Sequence, residues 1–324
     1  MLLGNQFCLN LFKPINNYQM AGIDNSLNLG PGYISMDSVL GKYYQNISPA
    51  IVHIENGVFA KLDDEGIPYY FGDGNIVYIP VLVIQYALMN YDLFQDTREE
   101  SYIQVFFKCV NWLEDNKEDF NGSIVWRSKA NKQYNLPDGW ISGMYQGQAL
   151  SVYLRAYQQF DDNKYLKTVT GILKSFEIDV KDGGFRRNDE QNCLWFEEYP
   201  TSTPSFVLNG FIYSMFGILD YYRVTKSEEA LKLWNSCVET LKKNLHKYDV
   251  WYWSVYDQLK KQLVTYYYQK NVHIPLMKIM FQLTDYELFN TFAVKWEKSL
   301  NNSFHRFITK IMYRVKHRIT RKKI

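Results

Sequence analysis

Residues 150–176, LSVYLRAYQQFDDNKYLKTVTGILKSF, contain two apolar patterns joined by a short polar turn. The apolar side chains recur at spacings of three and four residues, which is the periodicity of an amphipathic helix. Asp161 and Asp162 interrupt that periodicity between the two halves. The segment is therefore predicted to form a helical hairpin.

The same pattern occurs in three other places, residues 81–113, 216–241 and 276–300. The four polar turns lie near Thr97, Asp161, Lys226 and Asp285, at intervals of 64, 65 and 59 residues. A hairpin cannot bury its apolar face alone, so neighbouring hairpins must stack as an open solenoid or a closed α/α toroid. The period is much longer than the roughly 34 residues of a tetratricopeptide repeat, and the extra length lies in long loops, which favours the toroid.

Residues 50–80 precede the hairpins and differ from them in pattern. Short β-branched and aromatic runs alternate there with turns that contain Gly or Pro, which predicts strands. We therefore expect a mainly α fold, an incomplete (α/α) toroid of helical hairpins preceded by a short β-hairpin or sheet element. The predicted divisions are an N-terminal extension with the hairpin (1–75), the toroid domain (76–303) and a basic amphipathic tail (304–324).

Three long loops between the hairpins, residues 121–140, 177–204 and 246–272, are polar and rich in aromatic residues. Loops of this length usually carry function, and all three are expected at the same end of the stacked hairpins, where they would form one cleft. The chain contains 27 Tyr among 17% aromatic residues, which is high. Such rings either fill a core or line a sugar-binding cleft.

Four cysteines, with no short CxxC pair, predict free thiols in a reducing compartment and no metal site. The N-terminal residues lack a charged segment followed by an unbroken apolar core, and no window reaches 18 uninterrupted apolar residues. These features predict a cytoplasmic protein without a membrane-spanning segment.

One loop leads into a distinctive motif. Residues 197–222, EEYPTSTPSFVLNGFIYSMFGILDYY, resemble the signature segment of D-glucuronyl C5-epimerases, which convert glucuronate to iduronate in heparosan-type polysaccharides. Residues 138–157, 248–259 and 266–284 are similar to further segments of that family, in the same order. The resemblance covers about residues 75–300 and implies a short bacterial-type member with an acidic polysaccharide as substrate.

The resemblance places Glu198, Tyr199, Tyr256 and Tyr268 around the uronate as catalytic residues, with Tyr267 as the alternative to Tyr268. Seven further positions are expected to bind substrate: Tyr145, Gln146, Arg186, Arg187, Asn209, Trp253 and His273. The family's Tyr-Asp loop often continues with Leu-Arg, whereas this chain reads Asp257-Gln258-Leu259, so Arg186 and Arg187 are the expected substitute cations. The tyrosine before His273 also lies five residues away rather than the usual four.

The chemistry explains these residue types. The C5 proton beside a carboxylate is a very weak acid, so its inversion needs a base on one face, an acid on the other and stabilisation of the developing charge. A tyrosine is a suitable acid, or a strong base when nearby cations lower its pKa, while a desolvated Glu198 suits the other face. Direct deprotonation requires no redox cofactor, and the sequence has no GxGxxG fingerprint after a strand.

Alternatives remain open from the sequence. The Glu-Glu-Tyr-Pro loop is also compatible with a solvated turn whose helix cap is Ser202, Thr203 or Ser205. Asn209 and His273 are compatible with structural roles, and Tyr256 and Trp253 with core packing. A uronate lyase begins with the same proton abstraction, a glycoside hydrolase uses paired carboxylates, and a helical-repeat protein binds glycans without catalysis.

The tail, residues 305–324, combines apolar residues at every fourth position with eight Lys and Arg and no acid. This pattern is typical of a helix that lies on an anionic membrane, and a solvated, frayed terminus is the alternative. The rest of the chain carries a net negative charge, so nucleic acid is not an expected partner. We expect a cytoplasmic location, allow for peripheral contact with the inner face of the membrane, and allow for a homodimer.

Overall fold

The computed structural model describes residues 27–72 and 75–321, with side chains described as far as Met312. The helices are α1 Ile51–Glu55, α2 Pro80–Thr97, α3 Glu100–Asp115, α4 Gly143–Phe160, α5 Asn163–Lys174, α6 Leu208–Thr225, α7 Glu228–Asn244, α8 Tyr266–Tyr268, α9 Ile274–Thr284, α10 Glu287–Asn301 and α11 Ser303–Arg321. The strands are β1 Lys61–Leu62, β2 Pro68–Gly72, β3 Asn75–Val77, β4 Glu118–Phe120, β5 Ser123–Val125, β6 Arg127–Ser128, β7 Trp140–Ile141, β8 Arg186–Asn188 and β9 Leu194–Phe196. The fold is mainly helical.

Helices α2 to α7, α9 and α10 form four helical hairpins, as the sequence pattern predicts. Every hairpin turns through a residue in the left-handed conformation: Arg98, Asp161, Lys226 and Asp285, with φ of 61°, 51°, 58° and 55°. The N–H of each donates to a carbonyl in the last turn of the preceding helix. This is the αL helix ending, in which one turn residue satisfies an otherwise unpaired carbonyl. The repeat is therefore structural as well as sequential.

The first helices of the hairpins lie inside and the second helices outside. α2, α4 and α6 are apolar around much of their circumference and are largely buried, whereas α3, α5 and α7 bury one face. α4 packs against both α2 and α6. A Cβ on Gly217 would lie 2.0 Å from the Gly147 carbonyl oxygen, so the backbones of α4 and α6 touch at this crossing.

The expected β element is an antiparallel sheet in the order β1-β2-β3, with Phe71 opposite Ile76. The expectation that strands begin near residue 50 is wrong, because Ile51–Glu55 is helical. Pro49 lies in a 3-10 turn that runs directly into this helix, and proline favours the first turn of a helix. Two-stranded ribbons β4-β5, β6-β7 and β8-β9 stiffen the first two long loops.

A buried charge cluster fixes residues 37–44 to the ends of α4 and α6. Arg155 and Arg223 pair with the two oxygens of Asp220 at 2.7 and 3.1 Å, and all three side chains are fully buried. Their remaining guanidinium N–H groups donate to backbone carbonyls of residues 37–42. The N-terminal segment from Leu27 thus shares one core with the helices. The three-part division of the chain stays a prediction.

The three cysteines within the described residues, Cys109, Cys193 and Cys237, are buried free thiols, which confirms that part of the prediction. Cys8 lies outside the described residues.

Candidate active site

Three long loops meet at the end of the stack where α4, α6 and α9 begin. Tyr134 in the first loop donates its hydroxyl to Oδ2 of Asp257 in the third loop at 2.6 Å. Tyr256, also in the third loop, donates to Oε1 of Glu198 in the second loop at 2.9 Å. The loops therefore form one site, as their lengths and positions predict.

Glu198 is the central acid of this site. Its side chain is 3% exposed and lies against the start of α6, where a Cβ on Gly210 would come 2.5 Å from Oε2. The Asn209 amide nitrogen lies 3.5 Å from the same oxygen. Burial raises the pKa of Glu198 to about 7 and outweighs the hydrogen bonds from Tyr199, Tyr256 and Asn209, which lower it. This carboxyl group therefore changes charge near neutral pH.

Glu197, the adjacent acid, has a different role. It accepts hydrogen bonds from the backbone N–H groups of Ser205 and Phe206 at 3.0 and 2.9 Å and from the Ser205 hydroxyl at 2.6 Å. Its carboxylate also lies 3.3 Å from Nε of Arg187. Successive side chains of an extended backbone point in opposite directions, so one glutamate faces the site while the other ties down the loop.

The solvated-turn alternative is wrong for this loop. Glu197 is fully buried, Glu198 is nearly so, and the residue that precedes α6 is Val207, which makes no side-chain cap. Ser205 is engaged by Glu197 instead. The Ser205 hydroxyl therefore binds the carboxylate of Glu197 and does not cap helix α6.

Stacked aromatic rings form a wall beside Glu198. The rings of Tyr199 and Tyr134 are 4.0 Å apart and nearly parallel, and Trp140 lies 5.5 Å from Tyr199. Lys260 places its ammonium group 4.2 Å from the centre of the Tyr134 ring. Tyr134 and Asp257 were not predicted as site residues. The signal for Tyr134 is the aromatic character of the first loop, which does not distinguish one tyrosine from another, and the signal for Asp257 is its place after Tyr256 in the Tyr-Asp loop.

Tyr256 and Tyr268 form the third side of the site. Their rings meet edge to face at 5.6 Å, and Tyr268 is in turn 5.2 Å from His273. Burial, reinforced by the charge of Glu198, raises the pKa of both phenols well above the usual value. Both tyrosines are therefore protonated at neutral pH and suited to donate a proton.

A π-helical turn, Gln269–His273, follows Tyr268 directly. A π turn accommodates one residue more than an α-helical turn and is frequent at functional sites. The separation of five rather than four residues between Tyr268 and His273 is thus absorbed locally. Of the two candidate tyrosines, Tyr268 has its ring against Tyr256. The Tyr267 hydroxyl is buried and forms no hydrogen bond within the described part of the chain.

Two of the predicted substrate-binding residues lie at the site. Tyr145 is 5.8 Å from Trp140, and its proximity contributes to the raised pKa of Tyr199, for which burial is the main cause. Asn209 lies beside Glu198 and its Oδ1 accepts no hydrogen bond from the described residues, although it is buried. Both positions remain candidate substrate contacts.

Four of the other five predicted contacts, Gln146, Arg187, Trp253 and His273, form hydrogen bonds or an ion pair within the protein. Gln146 donates to the Ile124 carbonyl and the Ser175 hydroxyl, and Trp253 donates to the Val264 carbonyl. Arg187 pairs with Glu197 and donates to carbonyls of the 201–202 loop, while Arg186 lies in β8 opposite Phe196 of β9. His273 hydrogen-bonds Ser254 at 2.7 Å, and burial lowers its pKa to about 3. The predicted roles of these five side chains in substrate binding stay predictions.

Two solved structures are similar to this chain at low sequence identity. The chain is similar to D-mannose isomerase with a TM-score of 0.50 and 11% identity, over 78% of this chain and 68% of that one. It is also similar to the unsaturated glucuronyl hydrolase from Streptococcus agalactiae, with a TM-score of 0.45 and 14% identity, over 68% and 56% of the two chains. At 11% identity the likeness to D-mannose isomerase concerns the fold alone.

Comparison of sequences identifies relatives. The chain is 36% identical over 218 residues to the D-glucuronyl C5-epimerase of Caenorhabditis elegans, covering 61% of this chain and 35% of that protein. It is 30% identical over 179 residues to an uncharacterized protein of Methanocaldococcus jannaschii, covering 54% and 58%. The chain thus spans less than two thirds of either relative. Residues 114–298, which contain the whole candidate site, match the family model for the D-glucuronyl C5-epimerase C-terminus. The chain belongs to the D-glucuronyl C5-epimerase family.

Proposed function

We propose that this protein is a carbohydrate epimerase that inverts C5 of D-glucuronate to L-iduronate in a heparosan-like polysaccharide or a lipid-linked oligosaccharide. The observation that carries the proposal is the buried hydrogen bond between Tyr256 and Glu198, at 2.9 Å, beside the aromatic wall. Both residues lie within the family match. The pair supplies a proton acceptor and a proton donor of opposite character, which an inversion at carbon requires.

Glu198 is the proposed base. A carboxyl group with a pKa of about 7 is substantially ionised at neutral pH and accepts a proton more readily than an ordinary glutamate, because its charged form is poorly solvated. Its position against α6 is fixed by Gly210, which leaves space for the carboxylate where a side chain would collide. The base is therefore both activated and held in place.

Tyr256 is the proposed acid. We propose that the uronate ring replaces the hydrogen bond between the two side chains, so that Glu198 faces one side of C5 and the phenol faces the other. Tyr268 would assist, because its ring packs edge to face against the ring of Tyr256 at 5.6 Å. Removal of the C5 proton by Glu198 and delivery of a different proton by Tyr256 then inverts the centre. Glu198 afterwards releases its proton to solvent and the Tyr256 phenolate takes one from solvent, which restores both groups for the next turnover.

Lys260 is the proposed cation for the uronate carboxylate, where negative charge develops when C5 loses its proton. It stands over the ring of Tyr134, which stacks on Tyr199. The Leu-Arg pair of the family's Tyr-Asp loop has a counterpart in Leu259-Lys260, displaced by one residue. Arg187 forms an ion pair with Glu197. Oδ1 of Asn209, which has no hydrogen-bond donor among the described residues, is proposed to accept a hydrogen bond from a sugar hydroxyl.

The architecture supports this arrangement. We propose that the four hairpins form an incomplete (α/α) toroid, with α2, α4, α6 and α9 as its inner helices. The contacts of α4 with both α2 and α6 support it, as does the convergence of the three loops at one end. A cytoplasmic location and a homodimer stay predictions.

Incubation of a heparosan-type polymer with the protein in deuterated water tests the function. Epimerisation places deuterium on C5 and yields iduronate, both detectable by nuclear magnetic resonance. An unsaturated uronate that absorbs in the ultraviolet would instead identify a lyase, and new reducing ends would identify a hydrolase. Binding of the polymer without any change in it would leave a glycan-binding protein.

A further inference from the structure

Helix α11 presents apolar side chains to solvent. Phe304, Phe307, Ile311 and Met312 are 61, 59, 41 and 47% exposed. The first three are spaced by three and four residues and so share one face of the helix. Another side of α11 meets the body of the protein, where Thr309 is buried and Arg306 donates to the Leu300 carbonyl at 2.9 Å. The apolar strip is therefore not the face that anchors the helix.

Trp251 extends this apolar surface. Its ring is 61% exposed and lies edge to face against His305 of α11 at 5.5 Å. Its backbone has a φ of 55°, a conformation that a bulky side chain rarely adopts. The turn accepts this strain while its indole remains exposed beside α11, and tryptophan is enriched where proteins meet the headgroup region of a membrane.

Positive charge is concentrated in the same segment. Residues 304–324 contain eight Lys and Arg and no Asp or Glu, whereas the rest of the chain is net acidic. Lys310 is exposed and lies between Phe307 and Ile311 in sequence. An apolar strip flanked by cations is complementary to a bilayer whose acyl chains are apolar and whose headgroups are anionic. The same positive charge opposes pairing with a second copy of the helix.

We propose that Trp251 and the apolar strip of α11 (Phe304, Phe307, Ile311 and Met312), together the α11 surface, dock this protein on an anionic phospholipid bilayer. The helix would lie in the interface, with its rings among the acyl chains and its cations at the headgroups. Among the described residues, no helix combines the length and apolar character needed to cross a bilayer. Docking is therefore peripheral, and it does not depend on the proposed reaction.

Trp251 of the docking surface lies on the same loop as Tyr256. Asp249, near the base of the Trp251 turn, accepts from the Trp296 indole at 2.9 Å and pairs with Lys295 of α10. Trp251 itself is five residues before Tyr256 in sequence. A bilayer that holds the Trp251 turn would therefore hold the third loop of the site close to its surface, which suits a membrane-associated glycan.

Flotation of the full chain with vesicles tests the proposal. We expect binding to phosphatidylcholine vesicles that contain about one third phosphatidylserine, little binding to pure phosphatidylcholine, and release near 1 M salt, where the Debye length falls to about 3 Å. The double substitution Phe304→Ser and Phe307→Ser is expected to weaken binding about tenfold or more, because two phenyl rings that would be buried in the bilayer are removed. Lys310→Glu is expected to have an effect of similar size.

Matched controls lie on the β sheet. Phe71, 54% exposed, and Lys61, whose ammonium stands 6.0 Å from the Phe71 ring, form an exposed apolar and cationic pair away from α11. Phe71→Ser and Lys61→Glu are expected to bind vesicles as well as the unaltered protein. Acyl-brominated lipids are expected to quench tryptophan fluorescence in the unaltered protein and much less in Trp251→Phe.

Three results would overturn the proposal. The first is equal binding to neutral and anionic vesicles, or none to either. The second is weaker vesicle binding by Lys310→Glu while the double phenylalanine variant binds normally and brominated lipid does not quench the fluorescence. That result would mean that the surface attracts polyanions in general, nucleic acid included, and does not insert into the bilayer. The third is an equal loss in the Phe71 and Lys61 controls.

Discussion

Tyr256 donates a 2.9 Å hydrogen bond to Glu198, although 58 positions separate the two residues in sequence. Both side chains are buried at the end of the helical stack, and each comes from a different interhairpin loop. Burial raises the pKa of each group, so at neutral pH the acid is poised to lose its proton while the phenol keeps it. This difference in proton affinity is the basis of the predictions about activity.

Glu198→Gln removes the proposed base while keeping the size of the side chain. We expect incorporation of solvent deuterium at C5 to fall by roughly 10² to 10⁴, the usual contribution of general acid or base catalysis. Glu197→Gln is the matched control, because that carboxylate binds Ser205, Phe206 and Arg187 rather than the site. It is expected to destabilise the protein while the remaining folded molecules exchange at a rate within about tenfold of normal. Equal exchange rates in Glu198→Gln and the unaltered protein would refute the assignment.

Tyr268→Phe and Tyr267→Phe form a second matched pair, since the residues are adjacent and each change removes one hydroxyl. We expect a loss of about 10² to 10⁴ in rate for Tyr268→Phe, because the ring of Tyr268 packs edge to face against the ring of Tyr256 at the site. Tyr267→Phe is expected to be nearly silent in activity, because its hydroxyl has no partner among the described residues. Initial rates with saturating polymer decide the matter. The opposite order of effects would move the catalytic role to Tyr267.

The pH dependence of the reaction follows from the same groups. Glu198 must be ionised to accept the proton, so kcat/KM is expected to rise about tenfold per unit below pH 7 and to level off above it. The phenol must remain protonated, and its pKa is raised well above 10, so no decline is expected near neutral pH. Exchange rates from pH 5 to pH 9 measure this profile. A profile that is flat over that range would exclude Glu198 as the titrating base.

The free energy of unfolding should also depend on the Glu198 carboxyl group, but it should fall as the pH rises, whereas kcat/KM rises. Its pKa rises from 4.5 to about 7 on folding, so the folded protein holds this proton more tightly than the unfolded chain does. This contribution to stability is complete below pH 4.5 and is lost as the pH rises to about 7. Glu198→Gln does not titrate, so relative to the unaltered protein it should gain about 3 kcal/mol of unfolding free energy across that window. Urea denaturation at both ends of the window measures the gain, and a constant difference would contradict the raised pKa.

Asp220→Asn tests the buried charge cluster at the other end of the helices. The change leaves the fully buried guanidinium groups of Arg155 and Arg223 without their counter-ion, which is expected to cost about 3 to 5 kcal/mol of unfolding free energy. Asp96→Asn removes the exposed partner of Lys42 and is expected to cost less than about 1 kcal/mol. Urea denaturation compares the two. Similar losses in both variants would show that the buried cluster is not the tie that holds the N-terminal segment.

The sequence by itself determined the helical repeat. Spacings of three and four residues define each hairpin, and three of the four predicted turn positions, Asp161, Lys226 and Asp285, are the residues that adopt the left-handed conformation. Helical periodicity is a local property, because residues on one face of a helix are near neighbours in the chain. The Glu-Glu-Tyr-Pro motif likewise indicated the site, because its residues are contiguous.

Only the tertiary structure decided which polar groups the site contains. Gln146, Arg187 and Trp253 looked suitable for binding sugar, yet each satisfies a buried partner of the protein that lies far away in sequence or across a loop. Tyr134 entered the site because its ring stacks on Tyr199, a contact that no local spacing encodes. A buried hydrogen-bonding group must find a partner, and which partner it finds depends on how distant segments meet. The same burial set the pKa of Glu198, which composition and spacing alone do not determine.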